Sequence, residues 1–328
     1  MSRPSSFIVP AIMVGILLIG SFIILFFAGT PIHEESIDVA VVLKTIDSNM
    51  EFWEVVKNGM RSAVKETGVH MEIFGPWTES DIEGQIIIME KVVKSRPTVI
   101  VLSATDHNAL TPLVEEAHAL GIPVVTLDSG INSDIPVTFV ATNNIEAAEK
   151  LGTYCTTIVP PGTPVAIINH VPGATTAIER EEGVRHILEK DGRYPIVGTW
   201  FTNNFEQNAY AITRELITSY PDLGCILAMN EVSTIGAAKA LKDLGCKDKV
   251  KLLGFDNSLP EIQFMEEGIL QATIIQKPFN MGYLSIRAAL DAVQGKSLPR
   301  FIDTGSALIT PENMYSPENQ KLLFPFIE

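Results

Sequence analysis

From Ile37 onward, short apolar runs alternate with longer stretches whose apolar residues recur at helical spacing. The clearest unit is Gly121-Ile-Pro-Val-Val-Thr-Leu-Asp-Ser-Gly130. Pro123 to Leu127 is short, apolar and β-branched, the pattern of a strand buried on both faces. Ala109 to Leu120, just before it, reads as a helix, and Gly121 is a natural stop. Helix, glycine and buried strand make half of a βαβ unit. The apolar run ends abruptly at Asp128, at the carboxyl end of the strand, where open parallel sheets bind ligands. Asp128 then has two readings: a turn-forming residue before Gly130, or a hydrogen-bond acceptor facing a cleft.

The same rhythm covers most of the chain. Strands are expected at Ile37 to Leu43, Val69 to Phe74, Thr98 to Leu102, Pro123 to Leu127 and Val137 to Ala141. Helices are expected at Glu51 to Thr67, Ser80 to Lys94 and Ala109 to Leu120. After Asn143 the alternation restarts. Strands at Val165 to Asn169, Ile196 to Trp200, Cys225 to Met229, Val250 to Phe255 and Leu270 to Gln276 alternate with helices at Glu146 to Ile158, Thr175 to Lys190, Glu206 to Ser219 and Ile235 to Leu244. A last helix runs from Met281 to Val293. Alternating strands and helices predict an α/β fold with parallel sheets, and the repeated rhythm predicts two similar lobes.

The amino terminus differs from the rest. Phe7 to Ala28 is apolar apart from small residues and Ser21. As a helix it would reach about 33 Å, enough to cross a bilayer. Arg3 precedes it and Glu34 and Glu35 follow, so the positive-inside rule places the remainder outside the cytoplasm. A cleaved signal peptide is the rival reading, but its apolar region is usually shorter, and no clear Ala-x-Ala site follows. An N-terminal transmembrane helix that tethers the protein through residues 7–28 is therefore expected, with no cysteine near its end for lipid attachment.

Charge and cysteines narrow the function. The formal net charge of −15 over 328 residues argues against nucleic acid as a partner. Cys155, Cys225 and Cys246 form neither a disulfide framework nor a metal spacing, and no cofactor motif is present. Cys225 and Cys246 flank one predicted helix and are close enough in sequence to be neighbours; two separate buried thiols is the other reading.

The strands repeatedly end in a polar residue: Lys44, Ser103, Asp128, Asn230, Asp256 and Gln276. Such endings across two lobes predict two rims of hydrogen-bonding groups facing one cleft. That arrangement suits a polyhydroxylated ligand, since planar Asp, Asn, Gln and Arg groups bridge neighbouring hydroxyls and aromatic faces cover C–H surface.

At this point the chain resembles the ribose-type sugar-binding proteins of ABC transporters, the type I periplasmic binding proteins whose fold is shared by the lac-repressor core. The landmarks are Phe52-Trp53-Glu-Val-Val-Lys-Asn-Gly59, Gly121-Ile-Pro-Val-Val-Thr-Leu-Asp128, Glu179-Arg180-Glu-Glu-Gly183, Ala228-Met-Asn230, Leu253-Gly-Phe-Asp256 and Ala272-Thr-Ile-Ile-Gln276. The resemblance implies two doubly wound parallel-sheet lobes with a ligand cleft between them. It places crossovers near Thr142–Asn144, Gln276–Pro278 and Asp303–Ser306. The expected division is residues 1–36 as anchor and linker, 37–142 plus 277–304 as the first lobe, and 143–276 plus 305–328 as the second.

Carried over by position, the resemblance makes Phe52 and Trp53 an aromatic wall, Asp128 an acceptor of sugar hydroxyls and Arg180 a donor. Asn230, Asp256 and Gln276 complete the network, and Phe205 falls at a second aromatic wall. Arg180, Asp256 and Asp128 are expected to neutralise one another around the ligand. Plainer readings stand beside these: Phe52 and Phe205 as core, Arg180 as a solvated helix residue, Asp256 as a helix cap. Phe52 and Trp53, being adjacent, are not expected to face one direction deeply.

The chain departs from the ribose binders in carrying Ser129 after Asp128, where they have Arg, and Lys44-Thr45 in the first loop. Lys44 and the run Gly75 to Gln85 resemble the branch that includes autoinducer-2 receptors, which grip a furanosyl signal with a Lys and an Asp of the first lobe. A plain ion pair with Asp128 is the other reading of Lys44. The expected function is that of an extracytoplasmic receptor for a monosaccharide or small polyol, read by an ABC permease or a sensor kinase. A glycosidase using Asp128 and Asp256 is the enzymatic rival, but no hydrolase, P-loop or zinc motif supports catalysis.

Overall fold

The computed structural model describes residues 37–323. The apolar segment Phe7 to Ala28 lies outside them, and no helix among the described residues is long and apolar enough to cross a membrane.

The chain runs β1 (Asp38–Val42), α1 (Glu51–Thr67), β2 (His70–Phe74), α2 (Ile82–Ser95), β3 (Val99–Leu102), α3 (Thr111–Ala119), β4 (Val124–Leu127) and β5 (Thr138–Ala141). It continues through α4 (Asn144–Ile158), β6 (Val165–Asn169), α5 (Thr175–Asp191), β7 (Ile196–Phe201), α6 (Glu206–Ser219), β8 (Cys225–Ala228), α7 (Glu231–Asp243), β9 (Lys251–Phe255), α8 (Leu259–Glu266) and β10 (Leu270–Ile275). Then follow α9 (Pro278–Val293), β11 (Phe301–Asp303), β12 (Ala307–Ile309) and α10 (Pro317–Leu323).

The strands form two six-stranded sheets with one topology. The first runs β11-β5-β4-β3-β1-β2 and the second β12-β10-β9-β8-β6-β7. All pairings are parallel except β10 with β12. Each sheet, with the helices that cover its two faces, forms a lobe. The alternation of side chains along β1 shows why its run is apolar throughout. Val39 and Val41 enter one core layer, while Ala40 and Val42 enter the layer on the opposite face. In the second sheet Ala166 and Ile168 of β6 serve one layer, and Val165 and Ile167 the other.

The chain passes between sheets from β5 to α4, from β10 to α9, and from β11 to β12. After each of the first two passages the entering helix packs closely on the helix that follows the first strand of its new lobe. Gly59 of α1 and Gly183 of α5 permit this. A Cβ on Gly59 would lie 2.0 Å from Phe279 O, and one on Gly183 would lie 2.4 Å from Ile145 O. The two glycines occupy the same position in their helices.

Some elements differ from the expectation. Helix α7 starts at Glu231, not Ile235, because Asn230 caps it: its side chain accepts from Ser233 N. Helix α8, strands β11 and β12, and helix α10 are short, and the three-residue strands in particular span too few residues for a period to register.

Candidate ligand site between the two sheets

In each sheet the strand order reverses between the first and third strands, and ligands of open α/β sheets bind at that switch point, beyond the carboxyl ends. There the chain leaves β1 through Lys44, β4 through Asp128, β6 through Asn169 and His170, β8 through Asn230, β9 through Asp256 and β10 through Gln276. Together these ends border a narrow cavity of about 30 Å³, lined by Lys44, Asp128, His170, Asn230, Asp256 and Gln276 along with Met50, Phe52, Trp53, Glu79, Thr176, Arg180 and Glu231. A larger depression of about 500 Å³ adjoins it, sharing Phe52, Asp256 and Gln276 and bordered by Val55, Phe279 and Leu322.

From the first lobe, Lys44 Nζ lies 2.8 Å from Asp128 Oδ2, and both side chains are about 95% buried. Ser103 Oγ stands 3.4 Å from the same oxygen. Lys44 is therefore the cation of Asp128, and Arg180 serves the other lobe, which revises the expected three-way neutralisation. Phe52 and Trp53 both line the cavity, their rings edge to face at 5.1 Å. Adjacency in the first turn of α1 does not separate them. Trp53 is 1% exposed, and its indole N–H donates to Glu79 Oε1. Burial pushes the Glu79 carboxyl above its ordinary range despite Lys44.

In the second lobe, Arg180 is 2% exposed, which rules out the solvated reading. Its Nε donates to Asn144 Oδ1 at 2.9 Å and its Nη1 to Met229 O at 2.7 Å. The guanidinium lies 4.4 Å over the Phe255 ring, and Nη1 is 3.9 Å from Asp256 Oδ2. Asp256 does not cap α8, whose N-cap is Ser258. Its carboxylate accepts instead from Gln276 Nε2 and from Glu231 N. Burial raises its pKa, against the pull of Arg180. Asn230 donates to Asn204 Oδ1 at 2.7 Å while capping α7.

Three expected residues stand off the cavity, each for its own reason. Ser129 is fully buried but spends its hydroxyl across the lobes, accepting from Thr175 N at 3.1 Å. Phe205 is 42% exposed at the start of α6 and is not part of the lining, so it forms neither the second aromatic wall nor core. Ser103 touches the cavity only through Asp128.

Sequence reasoning missed Met50, Glu79, His170, Thr176 and Glu231. His170 follows the polar end of β6, so the strand-end rule extended to that strand would have found it. Glu231 directly follows Asn230. His170 Nε2 pairs with Thr176 Oγ1 at 2.9 Å. Burial, Arg180 and Lys44 hold its pKa well below the usual histidine value, so the ring is neutral at pH 7. Three buried polar atoms on the lining have no protein partner: His170 Nδ1, Glu231 Oε2 and Gln276 Oε1. Buried polar groups are normally paired, so these three point to a ligand that completes them.

The lobes touch on the rim. Thr175 Oγ1 donates to Gly130 O at 3.1 Å, His107 N to Gly173 O at 2.9 Å, and Lys44 Nζ to Thr176 Oγ1 at 3.4 Å. Away from the site, Cys225 neighbours Cys155 at an Sγ–Sγ distance of 3.4 Å rather than Cys246, which is half-buried elsewhere.

Several known proteins resemble this chain. The ribose import binding protein of Bacillus subtilis is 27% identical over 262 residues, covering 80% of this chain and 84% of the relative. The D-ribose/D-allose-binding protein of Pseudomonas aeruginosa is 28% identical, covering 79% and 83%. Among solved structures, a solute-binding protein of an Agrobacterium vitis ABC transporter with bound D-fucose superposes with a TM-score of 0.84 at 30% identity, covering 87% of this chain and 99% of that one. A carbohydrate transporter solute-binding protein of Agrobacterium radiobacter in complex with D-arabinose gives 0.83 at 28% identity, covering 88% and 99%. Residues 39–297 match the periplasmic binding protein domain, and the chain belongs to that family.

Proposed function

We propose that the protein captures a monosaccharide or small polyol outside the cytoplasm and presents it to an ABC permease. One observation carries this reading: strand ends from both sheets converge on a buried polar cavity whose lining leaves hydrogen-bonding atoms unpartnered. Phe52 and Trp53 supply apolar faces for ring C–H groups. Asp128, Arg180, Asn230, Asp256 and Gln276 supply oriented acceptors and donors. The sugars named for the relatives, ribose, allose, arabinose and fucose, set the size class of the ligand. Residues 37–142 plus 277–304 and 143–276 plus 305–328 are the lobes that hinge about the ligand, and residues 7–28 tether the protein beside its membrane partner.

The protein acts as a binder rather than a glycosidase. Asp128 is held by Lys44, and both Asp256 oxygens are engaged by Gln276 and Glu231 N, so neither carboxylate is free for acid–base work. The second reading, in which a sensor kinase reads the closed form, rests on the resemblance of Lys44 and Asp128 to the Lys and Asp of the autoinducer-2 receptors.

Calorimetry against pentoses, hexoses and polyols tests the proposal. Saturable binding of at least one member supports it, and silence across the panel at millimolar concentration refutes it. Loss of growth on that sugar in a deletion strain identifies a permease as partner; loss of a transcriptional response alone identifies a kinase.

A further inference from the structure

The cavity holds more carboxyl groups than it has cations to pair with them. Its lining contributes four carboxyl side chains, Glu79, Asp128, Glu231 and Asp256, against two permanent cations, Lys44 and Arg180. Lys44 is committed to Asp128 at 2.8 Å. Arg180 makes its closest bonds to Asn144 and Met229 O, and reaches Asp256 at only 3.9 Å. His170, the remaining candidate, is held neutral by burial and by both cations. Lys277 and Lys321 border the adjoining depression, not this cavity.

Glu231 is the residue this leaves exposed to the ligand's chemistry. It is 8% exposed, lines the cavity, and its Oε2 has no partner. Gln276, 4% exposed, commits its Nε2 to Asp256 and likewise leaves Oε1 without a partner. Both Asp256 oxygens are already satisfied, by Gln276 and by Glu231 N. The end of the cavity formed by α7, β9 and β10 therefore presents two unpartnered oxygens, one of them on a carboxyl group with no cation of its own. A neutral hydroxyl offers one donor and no charge. An ammonium offers three donors and the missing charge.

Resting on the sugar-receptor reading, we infer that the ligand is an amino sugar or amino polyol whose ammonium group seats against Glu231 and Gln276. Burial and the carboxylates of Asp256, Glu51 and Glu79 push Glu231 up to about 8, which is the environment a bound cation would relieve. Glu261, buried one helix away, is likewise pushed well above the ordinary range, chiefly by its burial and then by Glu231 and Asp256.

The test is calorimetry on the full chain with hexoses bearing an amino group at C2, C3 or C6, each beside its neutral parent, using wild type and Glu231→Gln. An amino member that binds wild type at least tenfold more tightly than its parent, with that ratio collapsing toward one in Glu231→Gln, supports the inference. Wild-type titrations in two buffers of different ionisation enthalpy give a second readout, because an ammonium arriving at Glu231 expels a carboxyl proton. Neutral sugars that bind as well as or better than every amino partner overturn the inference and leave the sugar receptor standing. Failure of both classes to bind overturns the receptor reading itself.

Discussion

Asp128 and Asp256 are structural counterparts. Each ends the fourth strand of its sheet, each has a backbone in the left-handed region (φ 59° and 75°), and each donates its backbone N–H to the neighbouring fifth strand, to Val140 O and Ile274 O. Aspartate tolerates this conformation better than most residues. The turn makes each strand end stop sharply, and both carboxylates line the same cavity. Their partners differ: Lys44 holds Asp128, while Gln276 and a helix N–H hold Asp256.

The Lys44–Asp128 pair is buried, so breaking it from one side is costly. Asp128→Ala is expected to lower stability by about 3–5 kcal/mol, because it strands the Lys44 ammonium. The double variant Lys44→Met/Asp128→Leu should recover most of that loss without restoring ligand binding. Urea denaturation of the three proteins checks the first point, and calorimetry the second.

Gly173 sits where the lobes meet. A Cβ there would fall 1.8 Å from Asp106 Oδ2. That carboxylate is held in place, since Oδ1 accepts from Asn108 N and Ala109 N at 2.9 and 2.8 Å. Gly173→Ala should therefore obstruct closure, weakening ligand affinity about tenfold or more, an effect of about 1.4 kcal/mol. Small-angle scattering in saturating ligand should show the variant more open than wild type; an equally compact variant would contradict this account.

Gly59 tests the helix contact at the crossover. With its Cβ position 2.0 Å from Phe279 O, Gly59→Ala forces α1 and α9 apart. The expected destabilisation is about 1–3 kcal/mol, read as a lower urea midpoint. Ala at Gly68, where no atom lies within 4 Å, meets no clash; its cost is confined to the positive φ of 72°.

Glu231 makes stability depend on pH in a definite direction. Its pKa rises on folding from the ordinary 4.5 to about 8. Between those values the folded protein holds a proton that the unfolded chain has lost. The stabilisation is complete below the unfolded pKa and falls as pH rises toward 8, by at most about 1.4 kcal/mol per pH unit. Glu231→Gln removes this dependence. Unfolding midpoints of the two proteins, compared from pH 5 to 8, should show the Gln variant gaining relative to wild type as pH increases; a constant difference would refute the assignment.

Most helices and strands were legible from local pattern because their causes are local. A buried parallel strand needs a short β-branched run, and a helix needs apolar spacing of 3.6 residues. The limits of α1 coincide with the expectation because Gly68 stops it in a left-handed turn, with its N–H on Val64 O. Asn230 both ends β8 and caps α7, and a local pattern of strand ends registers only the first role. Glu231, which the cap brings to the cavity, follows from the second role alone.

The alternation of short apolar runs and amphipathic helices, together with polar residues at strand ends, was enough to require two parallel sheets and a shared rim. Those properties follow from each residue's own character and that of its near neighbours along the chain. Partner choice does not. Lys44 beside Asp128, Glu79 under Trp53, Cys155 against Cys225 and Phe205 turned to solvent all depend on how sheets and helices far apart in the chain come to rest against one another. Burial and pairing energies are set by those distances, and a strand-end residue acquires its chemistry only when packing decides what stands opposite it.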